Sequence, residues 1–231
     1  MGSEGTVSFD ELPPWKRVVA RAIHQKPEPL TVPIRNFLYS SHDAIEAAIE
    51  DEGFGEAIED CARMIVECLL AGGQILIAGN GGSAAQAQHF AAELVGRFVC
   101  DRRPLPAIAL GADPATLTAI TNDYGWEHAI ERQRLALARP NSVFVAISTS
   151  GQSANILRAA DTAFEEKISV IAMTGKPGLP LVGRSHRAII APLSITPLVQ
   201  QLHLVAAHLI CLLVEQFVIA TPGLAAGFAS K

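Results

Sequence analysis

Short, fully apolar runs alternate with longer stretches of helical periodicity along most of this chain. From Ile34 to Leu70 the apolar residues recur at helical spacing, with a break near Gly53–Gly55, which predicts two helices ending at the Ala71-Gly72-Gly73 stop. After that stop the pattern changes. Buried strands are predicted at Gln74–Ala78 (QILIA), Ala107–Leu110 (AIAL), Ser142–Ile147 (SVFVAI), Ser169–Met173 (SVIAM) and Ala188–Ala191. Helices are predicted between and after them at Ser83–Val95, Pro114–Ile120, Trp126–Leu137, Ser153–Phe164 and Pro197–Val218. Strands that are apolar throughout, alternating with helices, imply a parallel sheet covered on both faces. The expected fold is therefore α/β: a single-domain three-layer sandwich around a mostly parallel five-stranded sheet, flavodoxin-like.

Residues 1–30 are polar and carry Pro13, Pro14, Pro27 and Pro29, with a short helix expected at Trp15–His24. They read as an accessory arm with a helical extension, which puts the arm at 1–32 and the domain at 33–231.

Composition narrows the function. The chain has 231 residues, 49% apolar and 18% charged, enough for one domain with a sizeable core. A net charge of −5 argues against broad capture of nucleic acid. A small anionic substrate remains open, because backbone N–H groups bind phosphate well. Cys61, Cys68, Cys100 and Cys211 form no C-x-x-C pair and read as thiols of a reducing, cytoplasmic setting. No signal peptide is visible, and the most apolar candidate span, Leu202–Ile219, is interrupted by His203, His208, Glu215 and Gln216, so no membrane association is expected. The N-terminal Met-Gly-Ser-Glu-Gly-Thr fits the myristoylation pattern, but no polybasic stretch accompanies it.

In open parallel sheets, ligands bind at the carboxyl ends of strands. Two loops there have suitable chemistry: Gly79-Asn80-Gly81-Gly82-Ser83 and Ser148-Thr149-Ser150-Gly151-Gln152-Ser153. Each puts small residues and hydroxyls at a helix N-terminus, where free N–H groups and the helix dipole favour an anion. The same residues also serve as ordinary helix caps. Gly79-x-Gly81-x-x-Ala84, with Asp113 after the next strand, also matches a dinucleotide fingerprint. Two features weigh against a dehydrogenase: the second hydroxyl-rich loop, and the polar pair His89 and Glu93 on the first helix. A P-loop is excluded, since no lysine follows the glycines.

His89 and Glu93 lie four residues apart, on one helix face and about 6 Å apart along the axis. On its own the pair reads as an intrahelical hydrogen bond. The last predicted helix changes that, because Gln200, Gln201, His203 and His208 interrupt a very apolar segment. Buried and unpaired, such groups cost a few kcal/mol each. Two polar clusters on otherwise apolar helices are expected to meet, and two imidazoles, a carboxylate and an amide oxygen suit a divalent metal such as zinc.

The runs GNGGSAA, QHFAAEL, PAIAL, TNDYGWE, ISTSGQSANIL, VIAMTGK and Gln200-x-x-His203-x-x-x-x-His208, in this order over residues 35–217, resemble the phosphoheptose isomerases of the sugar-isomerase (SIS) domain family. The resemblance implies isomerisation of sedoheptulose 7-phosphate to D-glycero-D-manno-heptose 7-phosphate, the first step of nucleotide-activated heptose biosynthesis, as for lipopolysaccharide. It implies metal ligands at His89, Glu93, Gln200 and His208, with zinc expected, one per subunit. It implies sugar-phosphate contacts from Asn80, Gly81, Gly82 and Ser83, from Asn122 and Asp123 on the sugar hydroxyls, from Ser148, Thr149, Ser150 and Ser153 on the phosphate, and from Glu93 and Gln200. Glu93 and His208 correspond to the acid–base pair, and the family assembly is a homotetramer with active sites at subunit interfaces. Non-catalytic members, among them a regulator that binds the bacterial replication-initiator protein, lack the helix glutamate and the last histidine. Both are present here. Other sugar-phosphate isomerases of the family remain an alternative. Leu198 and Gln201 stand where many members carry arginine and glutamate.

Gln200 and His208 are separated by about 12 Å along a helix axis and about 80° around it. A single ion is out of reach of both from one straight helix. One of them is therefore expected to serve a neighbouring subunit's site. His24, His42, His128 and His186 read as surface or structural histidines, and His203 as a support for Gln200.

Overall fold

The computed structural model describes residues 31–221. It divides into two compact units between His42 and Asp43, a boundary that falls inside the first described helix, α1 (Thr31–Glu50). In the first unit, Ile34, Leu38 and Tyr39 of α1 are exposed. The helix expected at 15–24 lies outside the described residues.

In the second unit, α2 (Glu52–Leu70) follows α1 with the single residue Asp51 between them. The expected break at Gly53–Gly55 is displaced to Asp51, whose carboxylate accepts from the Phe54 N–H at 3.2 Å and caps α2. A side-chain cap supplies a start signal that outweighs two weak helix formers in the first turn. Phe54, Ile58, Cys61, Ile65 and Leu69 form the buried stripe of α2, at the three- and four-residue spacing that makes one helix face.

Then come β1 (Ile75–Ala78), α3 (Gly82–Val95), β2 (Ala107–Ala109), α4 (Pro114–Tyr124), a 3₁₀ turn at Trp126–His128, α5 (Glu131–Leu137), β3 (Val143–Ile147), α6 (Ala154–Glu165), β4 (Ser169–Gly175), the short α7 (Leu179–Val182), β5 (Arg187–Ala191) and α8 (Thr196–Ala220). The stretch expected as one helix over Trp126–Leu137 is a 3₁₀ turn followed by α5, and α7 had no counterpart in the sequence pattern. At four residues, α7 is too short to show a periodicity.

The five strands form one sheet in the order β2-β1-β3-β4-β5, and every pair is parallel. All residues of β1 and β3 are buried, and their alternation divides them between two cores. Ile75, Ile77, Val143, Val145 and Ile147 join the core built with α2, α3 and α8. Leu76, Ala78, Phe144 and Ala146 join the one built with α6. Each fully buried isoleucine or phenylalanine contributes roughly 1.5–3 kcal/mol, so these two interior strands anchor both layers. By length and composition α8 would cross a membrane, yet half of its most apolar stretch is buried inside this protein, and it carries the buried polar residues His203 and Glu215.

The order 2-1-3-4-5 reverses direction between β1 and β3. That is the switch point at which open α/β sheets bind ligands beyond the strand ends. The two glycine–serine loops leave from these two strands.

Candidate active site

The loops are tied to each other at their base. Asn80, after β1, donates to Asn155 Oδ1 at 2.8 Å, and Asn155, in the first turn of α6, donates back to Asn80 Oδ1 at 2.9 Å. This closed amide pair spans the switch point, and Asn155 is fully buried. Ser148 and Ser153 pair through their hydroxyls at 3.1 Å. Gly175, at the end of β4, donates its N–H to the Thr149 carbonyl at 3.0 Å, pinning the second loop to the sheet. At Gly151, φ is +63°, and a Cβ would lie 2.4 Å from Gly178 Cα. Only glycine fits that turn.

Neither loop uses its side chains as ordinary caps. Ser153 and Gly81 occupy the N-cap positions of α6 and α3 without a side-chain cap bond. Among the described residues, the N–H groups of Gly81, Gly82, Thr149 and Ser150 have no protein acceptor. Open N–H groups at a helix start are chemically suited to receive an anion. Asp113, which fits a ribose-binding acid in the dinucleotide pattern, instead caps α4, accepting from Ala115 and Thr116 N–H at 3.0 and 3.3 Å. Its bonds to the Thr116 hydroxyl and to these two N–H groups hold its carboxyl below the usual range. The carboxylate is already committed to that helix, which removes the support for a dinucleotide site.

Helices α3 and α8 lie side by side and run in the same direction. At their N-terminal ends Gln200 sits against the first loop. Its Nε2 donates to Ser83 Oγ at 3.5 Å, its carbonyl accepts from Gln86 Nε2 at 2.6 Å, and a Cβ on Gly82 would come within 2.6 Å of Gln200 Nε2. Two turns on, His89 Nε2 lies 2.8 Å from His208 Nε2 and 3.5 Å from Glu93 Oε1. All three donor atoms lie within 4.8 Å of one another. The rings of His89 and His208 are tilted with centroids 5.1 Å apart, and the Phe98 ring lies 5.3 Å from that of His208.

This triad fits a divalent cation. At 2.8 Å the two Nε2 atoms face one another, so each ring presents the same nitrogen to one point. Two donors on a tetrahedral zinc at about 2.0–2.1 Å stand about 3.3 Å apart, between the 2.8 and 3.5 Å seen here. Cys211, three residues after His208, is buried and carries a protonated thiol. Burial, and then the charge of Glu93, push its thiol up to about 12.

The structure therefore brings His89, Glu93 and His208 together, and it holds Gln200 with Gly82 and Ser83, about 10 Å away along α3. Asn122 and Asp123 end α4, exposed, with Asn122 Nδ2 donating to Asp123 Oδ1 at 2.8 Å. Among the described residues no hydrogen bond ties them to the loops or to the triad. Leu198 is buried beside Gln200 in sequence, so the absent arginine is replaced by core packing. Sequence reasoning passed over Asn155, Phe98, Arg102 and Glu215 as parts of this region. Glu215 did leave a signal, since an acid inside the most apolar helix requires a buried partner.

The SIS domain family profile matches residues 36–175. The phosphoheptose isomerase of Shewanella loihica is 43% identical over 179 residues, covering 76% of this chain and 89% of that protein. The solved phosphoheptose isomerase of Neisseria gonorrhoeae superposes with a TM-score of 0.76 at 36% identity, over 81% of this chain and all of that one. The enzyme of Francisella tularensis gives 0.78 at 34% identity, over 82% and 100%. With the profile match, the identity to curated relatives and the superpositions in agreement, this chain belongs to the SIS domain family, on the branch that holds the phosphoheptose isomerases.

Proposed function

We propose that the protein is a phosphoheptose isomerase that converts sedoheptulose 7-phosphate to D-glycero-D-manno-heptose 7-phosphate. The observation that carries this reading is the convergence of His89, Glu93 and His208 on two helices whose first turns meet at the first of two loops with open N–H groups. Kinship with the phosphoheptose isomerases supports it. A carbohydrate with a carbonyl at one end and a phosphate at the other matches both halves.

The phosphate sits on the N–H groups of Gly81, Gly82, Thr149 and Ser150, with the hydroxyls of Ser83, Ser148, Ser150 and Ser153 donating to its oxygens. Anchoring that end orients the reacting carbons. The Glu93 carboxylate takes a proton from C1 and returns it to C2, and His208 moves protons between the two oxygens, so the ketose passes through an enediol to the aldose. His89, Glu93 and His208, together with Gln200, would hold the metal, zinc in this proposal. A bound divalent ion supplies Lewis-acid stabilisation of the negative charge that develops on the oxygens. Asn122 and Asp123 are assigned to the sugar hydroxyls.

The assembly is proposed to be a homotetramer in the cytoplasm, with residues 33–231 as the catalytic domain and 1–32 as an arm. Gln200 is then the residue that faces a neighbouring subunit's site, since His208 already meets His89 within its own chain. The complete triad argues against a non-catalytic regulator.

The test is incubation of the purified protein with sedoheptulose 7-phosphate, with and without a chelator, following aldose formation by NMR. Turnover that the chelator abolishes and added zinc restores is expected. Binding of the sugar phosphate without turnover would overturn the assignment in favour of a regulator.

A further inference from the structure

Seven residues after His208, and so on the same face of α8, lies Glu215, which is buried. It pairs with Arg102 at 3.1 Å, and the two side chains are only 2% and 3% exposed. Removing two charges from water costs several kcal/mol per ion unless every remaining hydrogen-bonding position is filled. Here they are filled. Glu215 Oε1 accepts from the Val99 and Cys100 N–H groups at 2.8 and 2.7 Å, and Oε2 from the Phe98 N–H at 3.0 Å as well as from Arg102. Arg102 Nη2 donates to the Glu93 carbonyl at 2.8 Å, and Nη1 to the carbonyls of Leu94, Gly96 and Arg103 at 2.9, 3.3 and 2.9 Å.

The partners matter more than the pair. Arg102 closes the C-terminal end of α3 on the backbone of Glu93 itself. Glu215 holds the backbone of Phe98, whose ring backs the imidazole of His208 at 5.3 Å. One buried contact thus joins the chain positions of two triad members on different helices. A pair that only stabilised the fold would have no need to reach either of them, and a buried ion pair is in any case weak evidence for net stability.

We propose that Arg102 and Glu215 are positioning residues that set the separation of the Glu93 carboxylate and the His208 imidazole, and with it the affinity of the triad for its metal. This rests on the isomerase reading only where turnover is the readout. The metal affinity tests it independently.

The variants are Arg102→Lys, which keeps the charge but loses the planar five-donor fork, and Glu215→Gln, which keeps the shape but loses the charge. Val170→Ala, in the core on the opposite face of the sheet, serves as a control for plain destabilisation. Zinc affinity is read by competition with a chromophoric chelator, alongside Tm, kcat and KM. Both clamp variants are expected to bind zinc at least about tenfold more weakly, and to lose kcat by a similar factor, with KM changed by less than about threefold. Val170→Ala is expected to lose Tm alone. If either clamp variant is too unstable to purify, Phe98→Leu, which removes the ring behind His208 and leaves the ion pair intact, must lower zinc affinity. Folded variants with wild-type zinc affinity, or losses that merely track Tm as in Val170→Ala, would overturn the proposal. Normal zinc affinities in the clamp series with no isomerisation by the wild-type protein would defeat both readings. Clamp-dependent affinity without isomerisation would defeat only the function.

Discussion

The two ends of the α3–α8 pair are built in opposite ways. At the loop end, the contacts are neutral amides, hydroxyls and backbone N–H groups, closed by the Asn80–Asn155 pair and the Ser148–Ser153 contact. At the triad end, two imidazoles and a carboxylate are crowded together and braced by a fully buried ion pair. A phosphate is bound by many weak, preset dipoles that need no proton of their own. Proton transfer needs groups that change charge, and such groups stay in register only if something rigid holds them. On the proposed reading, recognition at the loop end and chemistry at the triad end are separable by mutation.

The sharpest way to break the comparison is Glu93→Gln. It should keep the fold and sugar-phosphate binding while kcat falls by about 10²–10⁴-fold, the range for a general acid–base group. Substantial remaining turnover by the NMR assay would refute the assignment of Glu93 as base. At the other end, Ser150→Ala with Ser153→Ala should raise KM about tenfold with a smaller change in kcat, and an unchanged KM would sink the phosphate-loop assignment.

Asn155→Ala should be milder for the reaction and visible in stability. It leaves the Asn80 amide without its partner, a loss of about 1–3 kcal/mol in denaturant unfolding, with KM raised because the two loops lose their tie.

The smallest expected effect is on pH dependence. Burial pushes the His203 imidazole down to about 4, against a lesser raising effect from the Thr174 backbone. In the unfolded chain it titrates near 6.5. Above that pH neither state holds the proton, and His203 does not alter stability. As pH falls from 6.5 towards 4 the unfolded chain takes up a proton that the native state refuses, so stability drops over this window. His203→Leu should flatten the curve there and nowhere else. Glu215 acts at lower pH. Burial raises its carboxyl, but the N–H groups of Cys100, Phe98 and Val99 and the charge of Arg102 bring it below the usual range. Its stabilisation is present above about 4.3, the ordinary glutamate value, and is lost as pH falls through the depressed native value. Unfolding midpoints measured from pH 8 to 3 separate the two.

Much of this was legible beforehand. The apolar runs located all five strands to within a residue or two; for the interior β1 and β3 the reason is that a strand buried on both faces has to be apolar at every position. Both loops were visible as glycine and serine after a strand, and the i, i+4 spacing placed His89 and Glu93 on one face. The start of α2 was misplaced because a capping aspartate acts through one hydrogen bond and leaves no periodicity. The single helix expected over Trp126–Leu137 failed for a related reason: apolar spacing does not distinguish a 3₁₀ turn from the first turn of an α-helix.

Sequence by itself determined the alternation of strands and helices, the chemistry of the two loops, and the presence of titratable groups on apolar helices. These are fixed by side-chain type at short spacing. Only the tertiary structure decided that β1 and β3 are neighbours, that His208 rather than Gln200 meets His89, and that Glu215 finds Arg102. The two side-chain contacts join residues more than a hundred positions apart, and β1 and β3 pair across 68, as Ile75 with Val143. They depend on sheet order and on how two helices pack, which no local periodicity encodes.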